Sequence, residues 1–262
     1  MKGKKILIVS IALNVVLFFI TTIFFIKFDV YQKIVSRFDT EEISNAENTN
    51  TAQEVNTSEE TNTPEKRYFE DGVYPARESL FEVLPIDSDD IVMVGDSLTQ
   101  RGEWMELTQN TNIKNRGIDS DSVAGVLNRI STIVKGQPKV VYINIGINDL
   151  YRGYDIESVL ADYKKIINEI KNESPKTGIY IQSLLPVNNT DYNHPMNNED
   201  VQSFNAKIEK IANEEDVTYV NIYSQFANEN NELYKEYTKD GVHLSGEGFF
   251  KLIDEMSQYI DF

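Results

Sequence analysis

The chain of 262 residues has no cysteine and two histidines, His194 and His243. Without thiols there is no thiolate nucleophile, no disulfide and no thiolate zinc site, and two imidazoles cannot build a three-histidine metal centre. Histidine chemistry must run through one of those two rings. Positive charge is also scarce, with 25 Lys and Arg against 42 Asp and Glu and a formal net charge of −17 at pH 7. So acidic a chain repels phosphate backbones, which argues against nucleic acid as a partner. No internal repeat is visible.

What is present is apolar and aromatic surface: 40% of residues are hydrophobic, including 14 Tyr and 13 Phe, enough for one sizeable core. Residues 6–26 form an almost wholly apolar run, which as a helix rises roughly 31 Å and matches the hydrocarbon thickness of a bilayer. A signal peptide's apolar region is usually shorter, roughly 7–15 residues, and no small-x-small cleavage pattern follows Lys27. The run is therefore expected to be an uncleaved, single-pass signal anchor. Lys2, Lys4 and Lys5 favour a cytoplasmic tail and an extracellular domain, although Lys27, Lys33 and Arg37 dilute that asymmetry. Residues 39–66, rich in Glu, Asn and Thr, cannot bury enough surface to offset their ordering entropy. The resulting division is tail and anchor at 1–27, juxtamembrane segment and flexible acidic linker at 28–66, and a folded domain at 67–262. Tyr68, Phe69, Tyr74 and Phe81 are spaced as anchors for the segment leading into that domain.

Within the domain, strand-like runs at 91–94, 112–115, 140–145, 179–184 and 217–222 alternate with amphipathic helices. Val123, Val126, Leu127 and Ile130 repeat at helical spacing, as do Leu160, Tyr163, Ile167 and Ile170, and Val201, Phe204, Ile208 and Ile211. Ser245 reads as the N-cap of a further helix that buries Phe249, Leu252, Ile253, Met256 and Ile260. Such alternation predicts an α/β fold in which a five-stranded, doubly wound parallel sheet carries helices on both sides.

Ligands in such sheets bind at the carboxyl ends of the strands, and four motifs fall there: Gly95-Asp96-Ser97, Asn115-Arg116-Gly117, Gly146-Ile147-Asn148-Asp149 and Asp240-Gly241-Val242-His243. Together they supply the parts of an acyl-transfer site. A serine hydroxyl needs a neutral imidazole to take its proton, and the imidazole needs a carboxylate to orient it; His243 and Asp240, three residues apart, can serve. Gly117 and Asn148 suit the stabilisation of an oxyanion, one by an unhindered backbone N–H and the other by its side-chain amide. Taken singly, each motif also reads as a plain turn or helix cap. Asp96 reads as a residue that holds its turn, and Trp104 and Tyr151 as packing or pocket-lining side chains. His194 lies in a polar loop without motif company and reads as a solvated loop histidine.

In this order and spacing, Gly95-Asp96-Ser97-Leu98, Gly117, Gly146-Ile147-Asn148-Asp149 and Asp240-Gly241-Val242-His243 resemble the four blocks of the SGNH hydrolases, the GDSL esterases and lipases. The resemblance covers about residues 89–262. Gly95-Asp96-Ser97-Leu98-Thr99 with Arg101-Gly102-Glu103-Trp104, and Asp240-Gly241-Val242-His243-Leu244, are similar to the branch related to platelet-activating-factor acetylhydrolase. The resemblance implies a flavodoxin-like three-layer α/β/α sandwich, Ser97 as nucleophile, His243 as base and Asp240 as its orienter. It further implies an oxyanion hole from the N–H groups of Ser97 and Gly117 and the Asn148 side chain, with no metal or cofactor. The expected function is a membrane-anchored esterase that removes short acyl groups, acetyl above all, from an envelope or capsular glycan or another small ester. A lysophospholipase or thioesterase acting on lipid acyl esters is the alternative enzyme, and a non-catalytic surface binding module the alternative outside catalysis. The oligomeric state is not legible.

Overall fold

Five short runs, all but the second rich in Val, Ile and Tyr, form the sheet: β1 Ile91–Gly95, β2 Ile113–Gly117, β3 Val140–Asn144, β4 Gly178–Gln182 and β5 Thr218–Val220. The structure is a computed structural model that describes residues 72–262, all inside one unit spanning Thr63–Phe262. The expected anchor at 6–26 and linker at 39–66 lie outside the described residues, as do Tyr68 and Phe69. Among the described residues no helix is long and apolar enough to cross a membrane.

The strands are all parallel, in the order β2-β1-β3-β4-β5. The helices, in chain order, are α1 Val73–Val83, α2 Ser97–Gln100, α3 Trp104–Thr108, α4 Val123–Val134, α5 Ile147–Tyr151, α6 Ile156–Glu173, α7 Asn189–Tyr192, α8 Asn198–Glu214, α9 Tyr223–Phe226 and α10 Gly246–Met256. Alternate side chains of each strand point to opposite faces. Val92 and Val94 of β1 therefore join Val141 and Ile143 of β3 in a core closed by α4, α6 and α8. Ile91 and Met93 join Val140 and Tyr142 in a second core closed by Trp104 of α3 and by Phe249, Leu252 and Met256 of α10. The result is the expected three-layer α/β sandwich. Each fully buried aliphatic side chain, such as Val126, Ile130 or Ile166, contributes about 1.5–3 kcal/mol.

The long helices begin where small polar residues cap them. Ser122 accepts a hydrogen bond from the Gly125 N–H, Asp155 from Ser158, and Ser245 from Gly248, the last as the spacing predicts. The segment leading into the sheet is itself a helix, α1, whose Tyr74 and Phe81 are buried with Ile118. β5 is shorter than expected, because the chain leaves the ladder and the Ile222 N–H donates to the Ser183 hydroxyl instead, at 3.1 Å.

One register detail places the chemistry. Gly95 lies level with Gly117 on one side and Asn144 on the other. The segments that follow β1, β2 and β3 thus emerge together on one rim.

Candidate active site

Ser97 opens α2 directly after β1. The turn is held by Asp96, whose Oδ1 accepts from the Leu98 N–H at 3.1 Å. Asn148 reaches the same rim through Gly146, which adopts φ 127°, a conformation open to glycine, and lies where any Cβ would meet the Phe204 ring at 2.7 Å. Glycine here lets β3 turn at once into α5, so Asn148 arrives beside Ser97 at the edge of one cavity.

Asp240 and His243 lie on a loop closed by an antiparallel bridge between Thr238 and Leu244. Thr238 is fully buried at its base: its hydroxyl donates to the His243 carbonyl at 2.8 Å and accepts from the Gly241 N–H at 2.9 Å. The Asn188 N–H, from the segment after β4, donates to the Gly241 carbonyl at 2.8 Å. Within this frame Asp240 Oδ1 accepts from the N–H groups of His243 and Val242 at 2.8 and 3.0 Å, while Oδ2 lies 2.7 Å from His243 Nδ1. Partial burial pushes the Asp240 carboxyl up. The hydrogen bonds from the His243 backbone, its ring and the Val242 N–H outweigh that and hold the group at about 2.

A carboxylate can only accept, so His243 Nδ1 carries the proton and Nε2 is left as an acceptor. Nε2 lies 2.9 Å from Ser97 Oγ, across 146 residues of sequence. Serine, imidazole and carboxylate thus form a continuous hydrogen-bonded chain that can draw the serine proton away as the oxygen attacks.

The structure corrects one expected donor. The Gly117 N–H donates to Asn115 Oδ1 at 2.9 Å, and Gly117 packs so tightly on α2 that a Cβ would meet the Gln100 nitrogen at 2.2 Å. Gly117 therefore serves close packing between β2 and α2 and does not line the cavity at Ser97. Ser120 does, three residues on. It adopts the left-handed φ of 61°, and neighbouring groups tie the loop down: the Asp119 N–H donates to Gln100 Oε1 at 2.8 Å and the Arg152 guanidinium to the Ser120 carbonyl at 2.5 Å. Asn148 Nδ2 donates to the Asp121 carbonyl at 2.9 Å and lies 3.4 Å from Asp96 Oδ2. A left-handed position usually advertises itself as glycine, and a serine there gives the sequence no such signal.

Asp96 is fully buried. Burial pushes its carboxyl up to about 7, against the Leu98 hydrogen bond, and the nearby Asp121, Asp149 and Asp119 push the same way. Trp104 turns away from the site: it is buried, donates from Nε1 to the Thr99 carbonyl at 2.8 Å and packs edge-on against Phe249. Tyr151 and His194 both line the cavity, so the expected solvated loop histidine is instead a wall of the site.

Two spaces meet at Ser97 and His243. The larger, of about 430 Å³, is walled by Arg101, Asp119, Ser120, Asn148, Tyr151 and His194. The smaller, of about 30 Å³, is an apolar crevice between Leu98, Ile147, Leu184, Leu185, Pro186 and Val187. Among the described residues no group of three or more His, Asp and Glu side chains is arranged to hold a metal ion.

Residues 93–249 match the model of the GDSL-like lipase/acylhydrolase family. A solved structure described as a platelet activating factor from Streptococcus pneumonia is 25% identical, with a TM-score of 0.68 over 71% of this chain and 92% of that one. An acetylxylan esterase from Geobacillus stearothermophilus shares the fold at 22% identity, with a TM-score of 0.55 over 68% of this chain and 97% of that one. Among curated proteins, an N-acylneuraminate cytidylyltransferase from Streptococcus agalactiae serotype V is 21% identical over 140 residues, 53% of this chain. The match spans about a third of that relative, 32% of its length.

Proposed function

Because the chain belongs to the GDSL-like lipase/acylhydrolase family, we propose that it is a membrane-anchored serine esterase that removes short acyl groups, acetyl in particular, from a glycan at the cell envelope. Hydrolysis of carboxylic esters comes with the family. The observation that carries the rest is the chain of hydrogen bonds from Ser97 through His243 to Asp240, placed where a small crevice and a large cavity meet.

In this reading Ser97 Oγ attacks the ester carbonyl while His243 Nε2 takes its proton, and Asp240 stabilises the imidazolium. His243 then returns the proton to the leaving alcohol. The acyl-enzyme formed on Ser97 is cleaved by water, activated by the same ring. The oxyanion is held by the Ser97 N–H, the Asn148 side chain and the Ser120 N–H, which makes no hydrogen bond to protein among the described residues. The smaller crevice, lined largely by apolar side chains, takes the acyl group. The alcohol half occupies the larger cavity, where Arg101, Asp119, Asn148 and His194 sit beside Ile147, Tyr151, Met196 and Val242, a mixed lining that a sugar with its hydroxyls and C–H faces can use. The acetylxylan esterase fold and a curated relative named for N-acylneuraminate support a sugar ester. The apolar run at 6–26 and the acidic linker support an anchored domain held off the membrane.

The test is a series of acetyl, butyryl and octanoyl esters of one alcohol, assayed with the purified full chain. Acetyl esters should have the highest kcat/KM. Each methylene that an apolar site accepts adds about 0.8 kcal/mol, so a lipid enzyme would show a rise with chain length. Faster turnover of octanoyl than acetyl esters would overturn the short-acyl reading in favour of a lipid substrate.

A further inference from the structure

Tyr151 and His194 come from different elements, the end of α5 and the loop after α7, yet their ring centroids lie 6.1 Å apart on the wall of the cavity at Ser97. Tyr151 is 59% exposed, among the more exposed large hydrophobic side chains of the described residues, and it lines the cavity. The His194 ring is fixed in place: Asn193 turns the chain back at φ 50°, and the Met196 N–H donates to His194 Nδ1 at 3.2 Å. With Nδ1 used as an acceptor, the neutral ring carries its proton on Nε2, a donor with no protein acceptor among the described residues. Burial lowers the ring's pKa, opposed by the nearby Asp240 carboxylate and helped to a smaller extent by His243.

An exposed aromatic ring beside a fixed N–H donor is chemistry that fits a pyranose. The negative ring face attracts the polarised C–H bonds of the sugar, and the donor meets a hydroxyl or ring oxygen. The cavity of about 430 Å³ has room for one such ring beside the serine. We infer that Tyr151 and His194 form a sugar-binding wall that holds the ring bearing the ester, with Tyr151 packed on its C–H face and His194 Nε2 donating to its oxygens. This deepens and rests on the esterase reading. It makes two otherwise unremarkable side chains the determinants of alcohol specificity.

Two measurements test it with an O-acetylated methyl glucopyranoside as the probe. In the first, kcat/KM for the probe is divided by that for ethyl acetate, which has no ring to pack. Tyr151→Ala should lower this ratio about tenfold, equivalent to about 1.4 kcal/mol, through KM rather than kcat. Tyr151→Phe should keep the ratio, since the ring face and not the hydroxyl does the work, and His194→Gln should retain more of it than His194→Ala. In the second, binding of the probe to Ser97→Ala protein is followed by NMR, with and without Tyr151→Ala. Equal losses on both esters, or probe binding indifferent to Tyr151 and His194, would overturn the wall. Probe binding that depends on Tyr151 in a protein that hydrolyses neither ester would leave the wall standing and overturn the esterase reading instead.

Discussion

At the scale of the residue, Ser97, His243 and Asp240 form one hydrogen-bonded chain, and the proposed mechanism uses them as a unit. Ser97→Ala and His243→Ala should each lower kcat by on the order of 10⁴-fold or more, and the double variant should be no worse than either, as acetate release by folded protein will show. Asn148→Ala should lower kcat by about 10²–10³ with little change in KM. Ser120 separates backbone from side chain: Ser120→Gly preserves the N–H and relieves the left-handed φ of 61°, so activity should persist, whereas Ser120→Pro should abolish it. Asp96 supplies a pH signature of stability. Its folded value of about 7 lies above the unfolded carboxylate's 3.8, so the native state holds an extra proton between these values and stability falls as pH rises through that window. Asp240 has the opposite sign: held at about 2, it contributes stability above pH 4 that is lost as pH falls toward 2. Urea midpoints measured at about pH 5 and pH 8 should differ less in Asp96→Asn than in the parent, and an unchanged difference would contradict the assignment. The residue types of the proposed triad were readable before any fold was known, because acid–base chemistry demands a hydroxyl, an imidazole and a carboxylate. Ser120 was not, because its role belongs to the backbone; nor was His194, which only the turn at Asn193 brings to the cavity.

At the scale of the element, the parallel strands and the long helices are legible for a plain physical reason. Burial on one stripe of a helix or along a whole strand leaves a periodic trace, and α4, α6, α8 and α10 all show it. The helices of four or five residues, α2, α3, α5, α7 and α9, are too short to complete such a period. Two of these invisible elements, α2 and α5, carry Ser97 and Asn148, so the sequence places the motifs more surely than their geometry. α2 also forms one side of the smaller crevice, the proposed acyl site, through Leu98. Leu98→Ala should admit longer chains and raise the ratio of butyryl to acetyl kcat/KM by up to about fifteenfold, two methylenes at about 0.8 kcal/mol each. An unchanged ratio in a folded variant would place the acyl group elsewhere.

At the scale of the whole molecule, the proposed anchoring, with the domain facing outward beyond residues 39–66, predicts that protease added to intact cells releases active esterase by cutting within that stretch. Release only after lysis would reverse the orientation. One further consequence follows from the loop hung between Thr238 and Leu244. It carries Asp240 and His243, and His243 meets Ser97, at the end of the first strand, across 146 residues of sequence. Opening of that loop and α10 would part His243 from Ser97 while β1, β3 and the helices on the other face stayed packed. Catalysis is then the most sensitive thermometer the molecule possesses: on heating, activity should disappear several degrees before helical circular dichroism, and the amides of Gly241 and His243 should exchange with solvent far sooner than those of Val92 and Val141.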